Sequence, residues 1–298
     1  MNLSGIVIRG HGKHFVVRSG GRDISCEIRG KVKHATTGTT PVAVGDDVVI
    51  SLGSSSTGMI EEVGERQSML FRPAKGSDRR RQVIAANLNQ LAVVASVKSP
   101  ELKPGFIDRF LIAAQIGGLT PLIVINKIDL GEPEILSELK SGYTALGIPI
   151  FFISAISGKG MEEFEAALSD HKTIFAGHSG VGKSTILNCL LPGQNLRVGE
   201  ISDYSNKGVH TTSRVQLFEL PQGGFVVDTP GLKVLGLWEV AKEELGDYYP
   251  EFSDYADQCR FTGCSHLHEP DCAVKDAVLR GKISRFRYNS YATIYKSL

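Results

Sequence analysis

A chain of 298 residues with 42% hydrophobic side chains can bury cores for two or three domains. Its 33 Lys plus Arg nearly balance 32 Asp plus Glu, and no apolar run reaches the length of a membrane span. These numbers exclude a protein with membrane-spanning helices and one that is basic or acidic throughout. Met1-Asn2-Leu3-Ser4-Gly5 does not open a signal peptide, so the expected location is cytoplasmic. Charge is nevertheless uneven. Residues 9–33, 66–81 and 275–296 are basic, and residues 239–257 are acidic. Separated basic patches suit either a polyanionic partner or a solvated surface.

Residues 4–63 read as all-β. Ile6-Val7-Ile8, His14-Phe15-Val16-Val17, Ile24-Ser25-Cys26-Glu27-Ile28, Val48-Val49-Ile50 and Met59-Ile60-Glu61-Glu62-Val63 are short strands parted by Gly, Asp and Ser. Five such strands suit a small OB-like closed barrel. Arg9, Lys13, Arg18, Arg22, Arg29, Lys31 and Lys33 favour RNA as its ligand over a purely structural β domain. Residues 66–87 then read as a basic connector, either a mobile linker or a phosphate-binding strap.

From Leu91 onward strands alternate with helices. Strands are expected at 91–97, 122–125, 150–153, 172–176, 214–220 and 224–227. Helices are expected at 106–116, 133–146, 160–168 and 184–191. Near-continuous Val, Ile and Leu in the strands imply a parallel sheet covered on both faces, an α/β domain.

Three segments of this domain carry chemistry. Gly177-His178-Ser179-Gly180-Val181-Gly182-Lys183-Ser184-Thr185 matches the phosphate-loop pattern, with a strand before it and a helix after it. Such a turn aims backbone N–H groups and a positive helix end at a polyphosphate. Lys183 is placed to reach the β/γ-phosphates and Ser184 to ligate Mg²⁺. Asn126-Lys127-Ile128-Asp129 ends a buried strand, where open α/β sheets bind ligands. The Asp129 carboxylate can accept from both donors on the guanine edge, and adenine offers the opposite pattern there. Asn126 and the stem of Lys127 can support the base, and Ser154-Ala155 can offer a backbone N–H to the guanine oxygen. Asp228-Thr229-Pro230-Gly231 follows a third strand. Asp228 suits Mg²⁺ through water, and the Gly231 N–H suits the γ-phosphate. Between these lies the polar stretch from Asn206 to Ser213, which a γ-phosphate could order. Thr211 or Thr212 would give the second Mg²⁺ hydroxyl.

Leu232 stands where many GTPases carry a water-orienting Gln, so water must be positioned by His210 or by a partner. Gly180 lacks the side chain that binds a monovalent cation in some related GTPases. Toward the C-terminus, Cys259, Cys264, His266 and Cys272 offer three thiolates and an imidazole within fourteen residues. That set suits a closed, structural Zn²⁺ site, with His268 as a competing ligand. Cys26 and Cys189 read as core residues.

The base-reading motif precedes the phosphate loop here, and Asp228-Thr229-Pro230-Gly231 comes last, which is a circular permutation of the usual order. With a β domain before it and a Cys/His domain after it, the chain resembles the bacterial small-ribosomal-subunit-dependent GTPase A family, RsgA. Gly208-Val209-His210-Thr211-Thr212 and the run from Cys259 to Val274 fit that resemblance. The resemblance favours His266 over His268. It implies an OB-like barrel over 1–66, a permuted GTPase domain over 67–235 with its connector at 67–87, and a helical zinc domain over 236–298. It also implies hydrolysis of GTP to GDP, with Mg²⁺, by a monomer that binds the small ribosomal subunit and its rRNA in late assembly. Two other readings remain open: a phosphate-loop ATPase or kinase, and an RNA-binding protein that uses guanine nucleotide only as a sensor.

Overall fold

The computed structural model describes residues 2–34, 40–53, 57–74, 77–131, 133–194, 215–228, 237 and 240–298. The first five strands are β1 (Asn2–His11), β2 (His14–Ser19), β3 (Arg22–His34), β4 (Asp47–Leu52) and β5 (Gly58–Val63). Strand β1 pairs with both β2 and β4, β2 with β3, β3 in parallel with β5, and β5 with β4. The ring therefore closes, and no strand edge in it is left bare. Alternation along the strands turns Val7, Phe15, Val17, Cys26, Val48, Ile50 and Ile60 inward as one core. Cys26 is a core residue, as its strand pattern suggested.

The basic connector carries regular structure. Strands β6 (Met69–Ala74) and β7 (Ser77–Ala86) form an antiparallel hairpin. Its stem is packed, with Leu70 and Ala85 in the core that it shares with the following sheet. Before it, Arg66 makes a buried pair with Asp46, Nε to Oδ1 at 2.7 Å, with side chains 4% and 0% exposed. The run of charges hid the strand pattern, and the Arg66 charge is neutralised by the barrel rather than offered to a ligand.

The next sheet has the order β10 (Ile150–Phe152), β9 (Thr120–Asn126), β8 (Gln90–Ser96), β11 (Lys172–Gly177), β13 (Phe225–Asp228), β12 (Gln216–Glu219). All neighbours are parallel except β12, which is antiparallel to β13 and touches β1 through Arg9 and Gln216. Helices α1 (Pro104–Gly117), α2 (Pro133–Thr144), α3 (Met161–Leu168) and α4 (Lys183–Leu190) cover it. Every residue of β8 is buried, as a strand covered on both faces requires. Two separate apolar clusters result, one on each face.

The C-terminal unit has short 3-10 turns at Lys242–Tyr248 and Pro250–Phe252, then α5 (Ser253–Ala256), α6 (Ala273–Leu279) and α7 (Arg285–Ser297). Its core gathers Leu245, Tyr249, Phe252, Val274, Tyr291 and Ile294. Helix α1 is shared between units. Ile107, Phe110 and Leu111 face the sheet, while Ile112 joins the C-terminal core. No described helix is long and apolar enough to cross a membrane.

Candidate functional site

Parallel strands bring the chemistry-bearing segments to one edge. In-register pairing sets Ser96 opposite Asn126 and Gly177 opposite Val94, so β8, β9 and β11 end together. The turn after β11 needs its glycines. A Cβ on Gly177 would lie 2.4 Å from the Val94 carbonyl oxygen. Gly182 has φ +96°, and a Cβ there would lie 2.3 Å from Asn126 Nδ2. Val181 is buried beneath the turn, whereas His178, Ser179 and Gly180 face solvent. Lys183, Ser184 and Thr185 form the first turn of α4. The Lys183 ammonium donates to the carbonyls of Gly177 at 2.6 Å and His178 at 2.9 Å, so the lysine lies across the loop.

Asn126 joins the two motifs. Its Nδ2 donates to the Val181 carbonyl at 2.9 Å, and its Oδ1 accepts the Ala155 N–H at 3.1 Å. One buried side chain thus ties the phosphate turn, the base-reading strand and the Ser154-Ala155 loop. Lys127 adds a second tie by donating to the Gly180 carbonyl at 2.7 Å and to the Ser99 carbonyl. Asp129 is exposed in the 3-10 turn Ile128–Leu130, and the Ile128 N–H bonds to the Ile153 carbonyl at 3.2 Å. That bond sets the Asp129 turn beside Ser154-Ala155. Ser154 is buried, and its hydroxyl accepts the Ser157 N–H at 3.3 Å.

Asp228 ends β13, the strand next to β11. Burial pushes its carboxyl above the ordinary range, and the Lys183 charge pulls it back down. A half-buried carboxylate and the Ser184 hydroxyl at a helix start form a hard oxygen donor set that fits Mg²⁺. His210, Thr211, Thr212, Gly231 and Leu232 lie outside the described residues. Cys189 corrects the sequence reading: it is exposed, not core. It lies on the outer side of α4, and its thiol donates to the Ala155 carbonyl at 3.3 Å.

The cysteine cluster assembles from irregular backbone. The donor atoms of Cys259, Cys264, His266 and Cys272 all lie within 4.8 Å of one another. Cys259 and Cys272 sulfurs are 3.8 Å apart, and His266 Nδ1 is 3.6 and 3.4 Å from them. A Zn²⁺ tetrahedron with bonds of about 2.3 Å to sulfur and 2.0 Å to nitrogen has edges of about 3.5–3.8 Å. The spacing fits. His268 is exposed and outside the cluster. Burial lifts the Cys264 thiol to about 12, raises the Cys272 thiol and lowers the His266 imidazole, favouring the neutral form of each of the three. Glu269 accepts the N–H groups of Ser265, Leu267 and His268, at 2.9, 3.2 and 3.2 Å. From α7, Tyr288 and Tyr291 donate to the carbonyls of His266 and Ser265, at 2.7 and 2.8 Å.

Sequence reasoning missed Phe106, whose ring lies 4.6 Å from that of His178 at 31°. It also missed Asp108 and Arg287, which form a buried ion pair between α1 and α7. Pro104, just past a strand end, signals a helix starting at the ligand-binding edge, and an aromatic residue in its first turn was the available clue.

Comparison with known proteins gives a consistent outcome. The family described as RsgA GTPase matches residues 63–238, and RsgA N-terminal domain matches residues 4–60. A Bacteroides thetaiotaomicron protein named small ribosomal subunit biogenesis GTPase RsgA 2 is 40% identical over 294 residues, covering 97% of this chain and 95% of its own. A Phocaeicola vulgatus protein named small ribosomal subunit biogenesis GTPase RsgA is 38% identical, with the same coverage. The crystal structure of YjeQ from Thermotoga maritima superposes with a TM-score of 0.79 at 35% identity, over 100% of this chain and 99% of that one. YloQ, described as a circularly permuted GTPase, gives 0.72 at 27% identity, over 100% and 95%.

Proposed function

This chain belongs to the RsgA family of circularly permuted GTPases, and from that premise we propose that it binds Mg²⁺–GTP across the ends of β8, β9 and β11 and hydrolyses it during small-subunit assembly. The observation that carries the site is Asn126, bonded at once to the phosphate turn and to the Ala155 N–H. Motifs 55 residues apart in the chain thereby act as one site. In it Asp129 reads guanine, the Ala155 N–H, shared between Asn126 Oδ1 and the base, serves the guanine oxygen, and the N–H groups of residues 177–185 hold the phosphates. Lys183 leaves its two carbonyls for the β/γ-phosphates. Ser184, Asp228 through water, and Thr211 or Thr212 would hold Mg²⁺, which would supply charge neutralisation to the phosphates. His210 positions the attacking water, a role that rests on sequence alone.

The barrel over residues 1–66 supplies the rRNA contact, residues 67–235 the GTPase and residues 236–298 a unit closed by one structural Zn²⁺. The protein works in the cytoplasm as a monomer. Support for the zinc is the spacing of Cys259, His266 and Cys272, with Cys264 within 4.8 Å of them. The test is GTP turnover titrated with purified small ribosomal subunits. Stimulation with GTP and none with ATP is expected. Equal rates for the two nucleotides would return the ATPase reading, and single-turnover assays without any cleavage would return the sensor reading. His210→Ala should keep GTP and subunit binding and lose stimulated turnover by roughly 10²–10⁴-fold.

A further inference from the structure

Helix α1 touches both ends of the molecule's chemistry. The segment leading into it and its own first turn meet the phosphate turn at three points. The Ser99 carbonyl shares the Lys127 ammonium with the Gly180 carbonyl. Pro100 Cδ is 3.6 Å from where a Gly180 Cβ would stand. The Phe106 ring packs on the His178 ring at 4.6 Å.

Two residues beyond Phe106, the same first turns of α1 carry Asp108. It is fully buried, and its Oδ2 has no hydrogen-bond partner among the described residues. Its Oδ1 takes the Tyr143 hydroxyl at 3.1 Å and the Arg287 guanidinium of α7. Arg287 is held in turn by Glu251, Nε to Oε1 at 2.7 Å and Nη2 to Oε2 at 3.2 Å, and lies 4.5 Å over the Tyr249 ring. Tyr288 and Tyr291, next along α7, grip the backbone of the cysteine loop. The contacts form an unbroken series from that loop through α7, Arg287, Asp108 and α1 to the phosphate turn.

We propose that α1 transmits the placement of the C-terminal unit to the phosphate turn, with Arg287, Asp108 and Phe106 as positioning residues for nucleotide binding. The proposal rests on the reading of residues 177–185 as the phosphate site. Its physical basis is that Arg287, fixed by its bidentate pair with Glu251 inside the C-terminal unit, presents Nη1 to Asp108 in one buried geometry. A packed helix then passes any displacement on as a rigid body instead of absorbing it. A partner that grasps the C-terminal unit thereby acts on nucleotide affinity, and bound nucleotide acts back on the hold of that partner by the same factor.

The experiment uses the full chain and a fluorescent GDP analogue. Affinity and dissociation rate are measured for the parent, Arg287→Lys, Phe106→Leu and the double variant, with thermal unfolding followed without nucleotide. Arg287→Lys keeps the charge but loses the planar fork. It should weaken GDP about fivefold, at the low end of usual coupling between sites. Phe106→Leu should do likewise, and the double variant should be no weaker than the weaker single one, because both cut the same series. If Arg287→Lys does not fold, Glu251→Gln takes its place with the same expectations, since it withdraws one carboxylate and leaves Asp108. Unchanged GDP affinity in the folded variant, or a double variant equal to the product of the single changes, overturns the proposal. Failure of the parent to bind GDP overturns the phosphate-site reading instead.

Discussion

The phosphate turn and the cysteine loop are held by opposite means. The first is shaped by the sheet: strand register, two glycines and the hydrogen bonds of Asn126 are complete within the chain. The second has little regular structure, with His266 and Asp271 both at positive φ, and burial favours the neutral forms of Cys264 and His266. One site is made by the fold and offered to a ligand. On the zinc reading, the other takes part of its stability from its ligand. Perturbations should therefore fall differently on the two.

The largest expected effect is loss of metal. Structural zinc binding is folding free energy, on the order of 10 kcal/mol in small peptides. Chelation or Cys264→Ser should speed hydrogen exchange across α6 and α7 while leaving β8, β9 and β11 protected. GDP should still bind, weakened no more than by Arg287→Lys. Metal analysis well below about one zinc per chain, after preparation without chelator, would refute the contrast. Next comes the junction between the units. Burial opposes the charge of Arg287, but Asp108 and Glu251 outweigh it and raise its pKa. Arg287→Met strands the buried Asp108, and breaking such a pair costs about 3–5 kcal/mol. Denaturant unfolding should show that loss, and Asp108→Asn in the same background should recover part of it.

How much of this was legible in the sequence follows from how local each feature is. The barrel strands, the alternating strands and helices and the glycines of residues 177–182 announce themselves through period and spacing. The hairpin β6–β7 did not, because Arg79-Arg80-Arg81 broke the alternation that marks a strand. Cys189 misled because an apolar-looking helix position says nothing of which side meets the sheet. The pairing of Asp108 with Arg287 spans 179 residues, and nothing in the sequence near either one names the other. The permuted order of motifs was legible; the side chain that makes them one site, Asn126, was read as base support and is in addition the tie between loops.

Base selection should respond at an intermediate scale. Asp129→Asn replaces an acceptor with a donor facing the donors of guanine. A hydrogen bond to a charged group is worth about 1.5–3 kcal/mol, so GTP affinity should fall by roughly ten- to a hundredfold. Xanthosine triphosphate, with a carbonyl there, should gain. Because Asp129 is exposed and the sheet is closed beneath it, thermal stability without nucleotide should not move. Unchanged GTP affinity with no gain for the xanthosine nucleotide would remove Asp129 from the base pocket.

The smallest effect is the sharpest test of a site made by the fold. The Cys189 thiol meets the Ala155 carbonyl at 3.3 Å, and the N–H of the same residue, here bonded to Asn126 Oδ1, is the one proposed to serve guanine. Burial, then Glu165, raises the thiol pKa, so the group is a neutral donor at pH 7. A sulfhydryl is a weak donor, and its removal should cost under about 1 kcal/mol. The Ala155 loop is also held by the Ser154 N–H on Lys159 and the Gly158 N–H on Ser154, at 2.9 and 2.8 Å, and by Asn126. Cys189→Ala should therefore speed GDP dissociation by no more than about threefold, leaving the GTP-to-ATP preference intact. A loss comparable to Asp129→Asn would mean that the loop is not set by its backbone bonds and Asn126.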